Sequence, residues 1–214
     1  MKYSVKEMFL SVQGEGAQTG RPSVFIRFAG CNLWTGREQD RAKAICKFCD
    51  TEFVGTDGIG GGVFSTAKAL ADNAMSHWPH EDGKPVGDPW VICTGGEPLL
   101  QLNDQLVDAL HNAGFKISVE TNGTIKAPAG IDWLCVSPKA DAPLVQKSGE
   151  ELKLVYPQVE NQPSDFENLD FKSFSLQPLD DPDGAKHRKA AFEYCMQNPN
   201  WRLSLQTHKW LGVR

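Results

Sequence analysis

Apolar residues fall in short, nearly continuous runs along most of the chain, separated by polar stretches with a helical period. Runs at Val24–Ala29, Trp90–Thr94, Lys116–Glu120, Trp133–Val136, Leu152–Tyr156, Ser173–Leu176 and Arg202–Gln206 predict strands. Continuous apolar character is what parallel strands buried on both faces require. Between them, Thr66–His77, Leu102–Asn112 and Ala185–Gln197 predict helices. In the second, Leu102, Leu106, Ala109, Leu110 and Ala113 recur near the helical period, and Gly114 supplies a C-terminal stop. Alternating strands and helices predict a parallel sheet with right-handed crossovers. A closed eight-fold barrel typically takes about 250 residues, more than the 214 present. The expected architecture is therefore α/β, a partial (incomplete) TIM-like barrel with about six parallel strands and three or more helices. One domain spanning residues 1–214 is expected. Gly58–Gly62 reads as a plain flexible connection, because no Walker lysine or strand–turn–helix context surrounds it.

Composition narrows the function classes. The chain is 40% hydrophobic and 23% charged, in the globular range. A net charge of −5 gives no basic face broad enough for a nucleic-acid backbone. A small anionic substrate needs only a local Arg or Lys. The first residues, Met1–Glu7, carry no apolar leader and no run is long enough to span a membrane, so a cytoplasmic protein without membrane association is expected. In that compartment thiols stay reduced, and the six cysteines read as metal ligands or buried small hydrophobes. Cys93, Cys135 and Cys195 lie in apolar or helical stretches and read as packing.

The other three form C-x14-C-x2-C, at Cys31, Cys46 and Cys49. A closed structural zinc site wants four protein ligands, and no fourth cysteine or histidine has the usual spacing to this triplet. An iron–sulfur cluster held by three thiolates leaves one iron open for a ligand that takes part in chemistry. Both readings stand at this point. The Asn32–Ile45 insert, with Arg37, Glu38, Asp40, Arg41 and Lys43, predicts a small solvated helix that returns the chain to the other two cysteines.

Polar motifs gather at one end of the predicted strands. Cys31 follows the first strand, and Thr94-Gly95-Gly96-Glu97-Pro98 follows the second. Glu120-Thr121-Asn122-Gly123, Ser137-Pro138-Lys139 and Gln177-Pro178 end the next ones, and His208 lies just past the last. Parallel α/β folds bind ligands beyond the carboxyl ends of their strands, so one shared site is expected there. Gly95 and Gly96 allow close backbone approach, and Pro98 stops the strand.

The cysteine triplet, with Phe48 before its last member and Gly95-Gly96-Glu97-Pro98 downstream, resembles the radical S-adenosylmethionine (SAM) superfamily. Within it, Val12-Gln13-Gly14-Glu15-Gly16, Arg27-Phe28-Ala29-Gly30-Cys31-Asn32-Leu33, Cys49-Asp50-Thr51 and Ser137-Pro138-Lys139 are similar to the 7-carboxy-7-deazaguanine synthase family. The superfamily usually has three residues between its first two cysteines, and fourteen stand here, as in a variant loop. The resemblance implies a lyase of 7-deazapurine (queuosine) biosynthesis. Such an enzyme converts 6-carboxy-5,6,7,8-tetrahydropterin to 7-carboxy-7-deazaguanine and ammonia by radical ring contraction. It implies a [4Fe–4S] cluster whose electron cleaves SAM, with the resulting radical taking hydrogen from the substrate and returning it, so that SAM is regenerated. It also implies Mg2+, a flavodoxin-type electron donor and a homodimer.

Residue roles follow from the same resemblance. Cys31, Cys46 and Cys49 hold the cluster, and Thr51 ligates magnesium. Val12, Gln13, Gly14, Glu15, Arg27, Thr94, His208 and Arg214 bind substrate, with Arg27 suited to bidentate capture of its carboxylate. SAM is assigned to Phe48, Cys49, Asp50, Gly96, Glu97, Glu120, Ser137, Pro138, Lys139, Gln177, Pro178, Leu179 and Asp180. No side chain is assigned as catalytic, because the cofactor carries the chemistry. By sequence alone, Thr51 also reads as a helix cap. Two rivals remain: a radical SAM activase that makes a glycyl radical on a protein, and a non-enzymatic zinc-binding module.

Overall fold

A computed structural model describes residues Met1–Arg214. Its strands are β1 (Tyr3–Val12), β2 (Pro22–Phe28), β3 (Gly62–Phe64), β4 (His80–Glu81), β5 (Lys84–Pro85), β6 (Trp90–Gly95), β7 (Lys116–Thr121), β8 (Trp133–Val136), β9 (Ser148–Tyr156), β10 (Asp170–Pro178) and β11 (Trp201–Leu203). The helices are α1 (Ala67–Ser76), α2 (Asp104–Asn112), α3 (Gly184–Gln197) and α4 (Thr207–Leu211). Strands β4 and β5 form a separate small hairpin. The others make one sheet in the order β11-β10-β9-β8-β7-β6-β2-β1-β3. From β2 to β11 all neighbours pair in parallel. Its two edges, β3 and β11, do not meet, so the barrel is incomplete as the pattern predicts. A contiguous core of 30 buried residues links sheet and helices. No helix is long and apolar enough to cross a membrane.

Every predicted parallel strand is present, and the differences have local causes. Strand β1 is absent from the sequence reading because its alternation breaks at Lys6, where a bulge between Val5 and Glu7 shifts the register against β2. Buried residues on both sides of the break, Val5, Lys6 and Met8, mask the period. The glycine run at 58–62 is docked on β1 and is not a loose connection. The Gly58 amide donates to the Lys6 carbonyl at 2.9 Å, and a Cβ on Gly61 would lie 2.2 Å from that oxygen. Only glycine permits this approach, after which Gly62–Phe64 pairs with β1.

Strand β11 stops at Leu203, short of the expected Gln206. The Ser204 amide still donates to Leu176 O at 2.8 Å, and beyond it the chain turns so that Gln206 bonds Glu15. Helices α1 and α2 begin at side-chain caps: Thr66 accepts from the Ala69 amide and Asn103 from the Leu106 amide. The cap moves the α2 start past Leu102, which lies in the turn after a short 3-10 segment, Pro98–Leu100. The 32–45 insert contains one six-residue 3-10 stretch, Glu38–Lys43, with no buried residue. It is solvated as expected, but wound more tightly than an α-helix.

Candidate active site

Two adjoining cavities open beyond the carboxyl ends of the parallel strands. The first, about 190 Å³, is walled by the ends of β6 through β10 and by the Cys46–Thr51 segment. The second, about 240 Å³, lies between β1, β2 and the C-terminal segment. Glu15, Asp50, Thr51, Thr94, Glu120 and Gln206 line both. Val12, Gln13, Gly14, Glu15, Arg27, Thr94, His208 and Arg214, the full set assigned to substrate, line the second cavity. Of the set assigned to SAM, Phe48, Cys49, Asp50, Gly96, Glu120, Ser137, Lys139, Gln177, Pro178, Leu179 and Asp180 line the first.

A buried charge network forms the shared wall. Lys153, whose side chain is 5% exposed, donates to Glu15 Oε2 at 2.7 Å and to Glu120 Oε2 at 2.8 Å. Gln177 and Gln206 donate their amides to Glu15 Oε1 at 3.1 and 2.9 Å, and Gln13 donates to Glu120 Oε1 at 3.0 Å. Burial opposes ionisation of Glu15, but Lys153 and the amide donors outweigh it and lower its pKa to about 2. For Glu120 burial prevails, aided by the charge on Glu15, and its pKa is raised. Burial also opposes charge on Lys153, and the two carboxylates overcome it to hold the ammonium well above the usual lysine range. Lys153 is missing from the sequence-based set. The signal for it is a lysine between Leu152 and Leu154 inside a strand buried on both faces. Gln13, expected to read the substrate, commits its side chain to the wall: its oxygen accepts from the Glu15 amide at 3.2 Å.

A second charged group stands across the larger cavity. Arg27 donates through Nε to Glu7 Oε1 at 2.8 Å, and Arg214 donates to Glu7 Oε2 at 2.6 Å. The terminal nitrogens of Arg27 make no hydrogen bond within the chain, so its fork remains available. Glu7 sits opposite Arg27 in the β1–β2 register, and Phe9 stacks on Phe25 with centroids 5.3 Å apart on the same cavity wall. Both Glu7 and Phe9 escape the sequence reading because β1 does. The C-terminal segment is strapped over this cavity: Thr207 N donates to Gly14 O at 2.9 Å, and Ser11 Oγ donates to Arg214 O at 2.6 Å. Lys209 ties it further to Asp50 and Asp180. Gly14 is required there, since a Cβ would lie 2.0 Å from His208 Nδ1. Burial, with nearby Lys209 and Lys153, lowers the His208 pKa against the pull of Glu15. The ring is therefore neutral at pH 7.

The three cysteines converge, and they do not surround one point. Cys46 and Cys49 line the first cavity, and Cys31 lies on an open groove along the insert. Burial, with smaller contributions from neighbouring thiols, holds the Cys31 and Cys46 thiols above their usual range. No three His, Cys, Asp or Glu side chains are grouped as a single ion demands. Cys93, Cys135 and Cys195 are buried in β6, β8 and α3, so none serves as a fourth ligand. Three neighbouring thiols that do not share one ligand point, two of them on the first cavity, suit a polynuclear group better than a tetrahedral zinc ion. Gly96 lets the turn close over them: a Cβ there would lie 2.1 Å from Gly30 O and 2.8 Å from Cys31 Cβ.

Three expectations change. Glu97 does not line either cavity. It is fully buried, and accepts from Thr121 Oγ1, the Asn122 amide and the Leu99 amide at 2.7, 2.8 and 2.9 Å, so its carboxylate braces the strand ends. Pro138 likewise lines neither cavity. No helix begins at Thr51, which removes the capping reading and leaves its hydroxyl between the two cavities.

No family model matches the chain. A protein of Caulobacter vibrioides named 7-carboxy-7-deazaguanine synthase is 61% identical over 213 residues, covering 100% of both chains. The chain belongs to the 7-carboxy-7-deazaguanine synthase family. Synthases of that name from Bradyrhizobium diazoefficiens and Bordetella pertussis are 58% and 57% identical, each over the full chain. The crystal structure of QueE from Escherichia coli matches 96% of this chain and 94% of its own at a TM-score of 0.69, with 27% identity.

Proposed function

We propose that this family member converts 6-carboxy-5,6,7,8-tetrahydropterin to 7-carboxy-7-deazaguanine and ammonia, as a radical SAM lyase in 7-deazapurine (queuosine) biosynthesis. The observation that carries the reading is the pair of joined cavities: one faces Cys46 and Cys49, and the other presents Arg27, Arg214 and Glu15. The residues fit a [4Fe–4S] cluster on Cys31, Cys46 and Cys49, SAM in the first cavity, and Mg2+ at Thr51 with substrate oxygens and water. When bound, the cluster and SAM supply the one-electron chemistry that removes and returns a substrate hydrogen.

The chain's own residues bind and orient. The free fork of Arg27 takes the substrate carboxylate, with Arg214 beside it. Glu15, held ionised by Lys153, accepts from amino and amide N–H groups of the pterin edge. The stacked Phe9 and Phe25 give the ring an apolar wall. Neutral His208 lines the substrate cavity and closes it on the side of the C-terminal segment. The strap of α4 excludes water, and leaves room for a small molecule more readily than for the polypeptide an activase must admit.

We read the chain as one domain, acting as a cytoplasmic homodimer with a flavodoxin-type donor; the family resemblance supports each of these. The deciding test is anaerobic turnover of the carboxytetrahydropterin with SAM and reductant, with and without Mg2+. Formation of 7-carboxy-7-deazaguanine without net consumption of SAM is expected. SAM cleavage with no such product would overturn the assignment.

A further inference from the structure

Between Cys31 and Cys46 lie fourteen residues whose only regular structure is the exposed 3-10 stretch. The segment that follows, through Cys49 and Thr51, has no helix or strand. Its carbonyls therefore have no ladder partners of their own. One side chain donates to two of these carbonyls. Arg41 NH1 donates to Lys47 O at 2.9 Å and to Cys49 O at 3.1 Å. The same guanidinium lies 4.1 Å from the centroid of the Trp34 ring, and its Nε donates to Glu38 at 2.8 Å. Trp34 is itself anchored: it is buried, meets Phe53 edge-on at 5.6 Å, and donates Nε1 to Arg37 O at 3.2 Å. The Leu33 carbonyl closes the base of the insert by accepting from Ile45 N and Cys46 N at 3.1 and 3.4 Å.

We infer that Arg41 is a positioning residue for the cysteine segment, a clip that lets the long insert set Cys46 and Cys49 for the iron–sulfur group. The inference rests on the cysteines being cluster ligands. Its physical basis is the planar guanidinium, which lies on the indole face while one terminal nitrogen donates to both carbonyls and Nε to Glu38; an ammonium has no planar face to stack and no separate donors held in that fixed geometry. Satisfied groups just outside a metal's ligands typically govern metal affinity by about 10- to 100-fold.

The test compares the parent, Arg41→Ala and Arg41→Lys as anaerobically reconstituted holoproteins. Iron and sulfide content, the rate of iron loss to a chelator, and the electron paramagnetic resonance spectrum of the reduced cluster are measured. Arg41→Ala is expected to lose iron about 10- to 100-fold faster with an altered spectrum, and Arg41→Lys to recover only part of this. Iron loss within about twofold of the parent, or full rescue by lysine, overturns the clip. Hydrogen exchange of the Cys46–Thr51 amides in the metal-free chain reads the clip separately: it is expected to accelerate in Arg41→Ala while α2 and β7 keep their protection. Unchanged exchange there also counts against the clip. A parent that takes up neither iron nor sulfide would instead sink the cluster reading, leaving the exchange result to decide the role of Arg41.

Discussion

The two halves of the active site are built by different means. One half hangs on sheet strands that wall the two cavities: Arg27 on β2, Glu120 at the end of β7, Lys153 on β9 and Gln177 on β10. Each is fixed by a backbone ladder before any side-chain contact is counted, and Lys153 joins the elements through buried charge-assisted bonds. The cysteine-facing half, residues 31–53, has no ladder. It rests on point contacts: the Arg41 clip, the Trp34–Phe53 pair and the Leu33 carbonyl. The contrast teaches that one half is organised without ligand, while the other has few backbone bonds of its own and gains most from the group it holds.

Removing a thiol should break the contrast most sharply. Cys46→Ala is expected to abolish iron and sulfide retention and all turnover, while the sheet-borne half stays folded. Circular dichroism and substrate protection from proteolysis would check that the second cavity survives. Next in size is Arg27→Ala. Truncating a charged, hydrogen-bonded partner typically costs about 2–5 kcal/mol, which is about 30- to 5,000-fold in kcat/KM. Turnover should fall while the cluster and uncoupled SAM cleavage persist. Loss of iron in that variant would show that Arg27 holds structure across both halves.

Lys153→Met probes the ladder side from within. It leaves Glu15 and Glu120, whose side chains are 20% and 18% exposed, without a cation; removing one partner of a fully buried pair destabilises by about 3–5 kcal/mol, and the loss here is expected toward the lower end of that range. The pH dependence has a definite sign. In the parent, the Glu15 pKa is lowered to about 2 from 4.5, so its contribution is present above about 4.5 and is lost as pH falls through about 2. In the variant the lowering cation is gone, so the protein should be stabilised on acidification as one carboxylate takes up a proton. Urea unfolding at pH 8 and pH 5 reads this directly; equal losses at both pH values would count against the network. The smallest effect belongs to Glu38→Ala. Its pair with Arg41 is exposed on the Glu38 side and is worth about 0–1 kcal/mol. Iron retention close to parental would place the weight of the clip on the carbonyls of Lys47 and Cys49. A loss matching Arg41→Ala would place it on the ion pair.

Much of this architecture is legible in the linear pattern. Seven buried runs predict the parallel strands, because burial on both faces writes itself as continuous apolar sequence. Polar residues at their carboxyl ends locate the site, because a side chain at a strand end is placed by the backbone alone. What escapes is whatever depends on register or on distant contacts. β1 hides behind a bulge, and with it go Glu7, Phe9 and one wall of the larger cavity. Glu97 sits in a telling motif, yet its direction is set by amides of Leu99 and Asn122 that only the folded chain brings to it.

The sequence by itself determined the parallel core, the end of the sheet where ligands bind, and the thiols, guanidinium and carboxylates offered there. These follow from periodicity and residue chemistry, which act locally. The tertiary structure alone decided that Glu15 and Glu120 share one buried ammonium, that Glu7 joins Arg27 to the last residue, and that the fourteen-residue insert closes on Arg41. Each of those is a pairing that no helical or strand period specifies, across 20 residues or more in the first two cases and across a loop of 6 to 8 in the third. No local preference encodes it, because its energy appears only when desolvation brings the partners together.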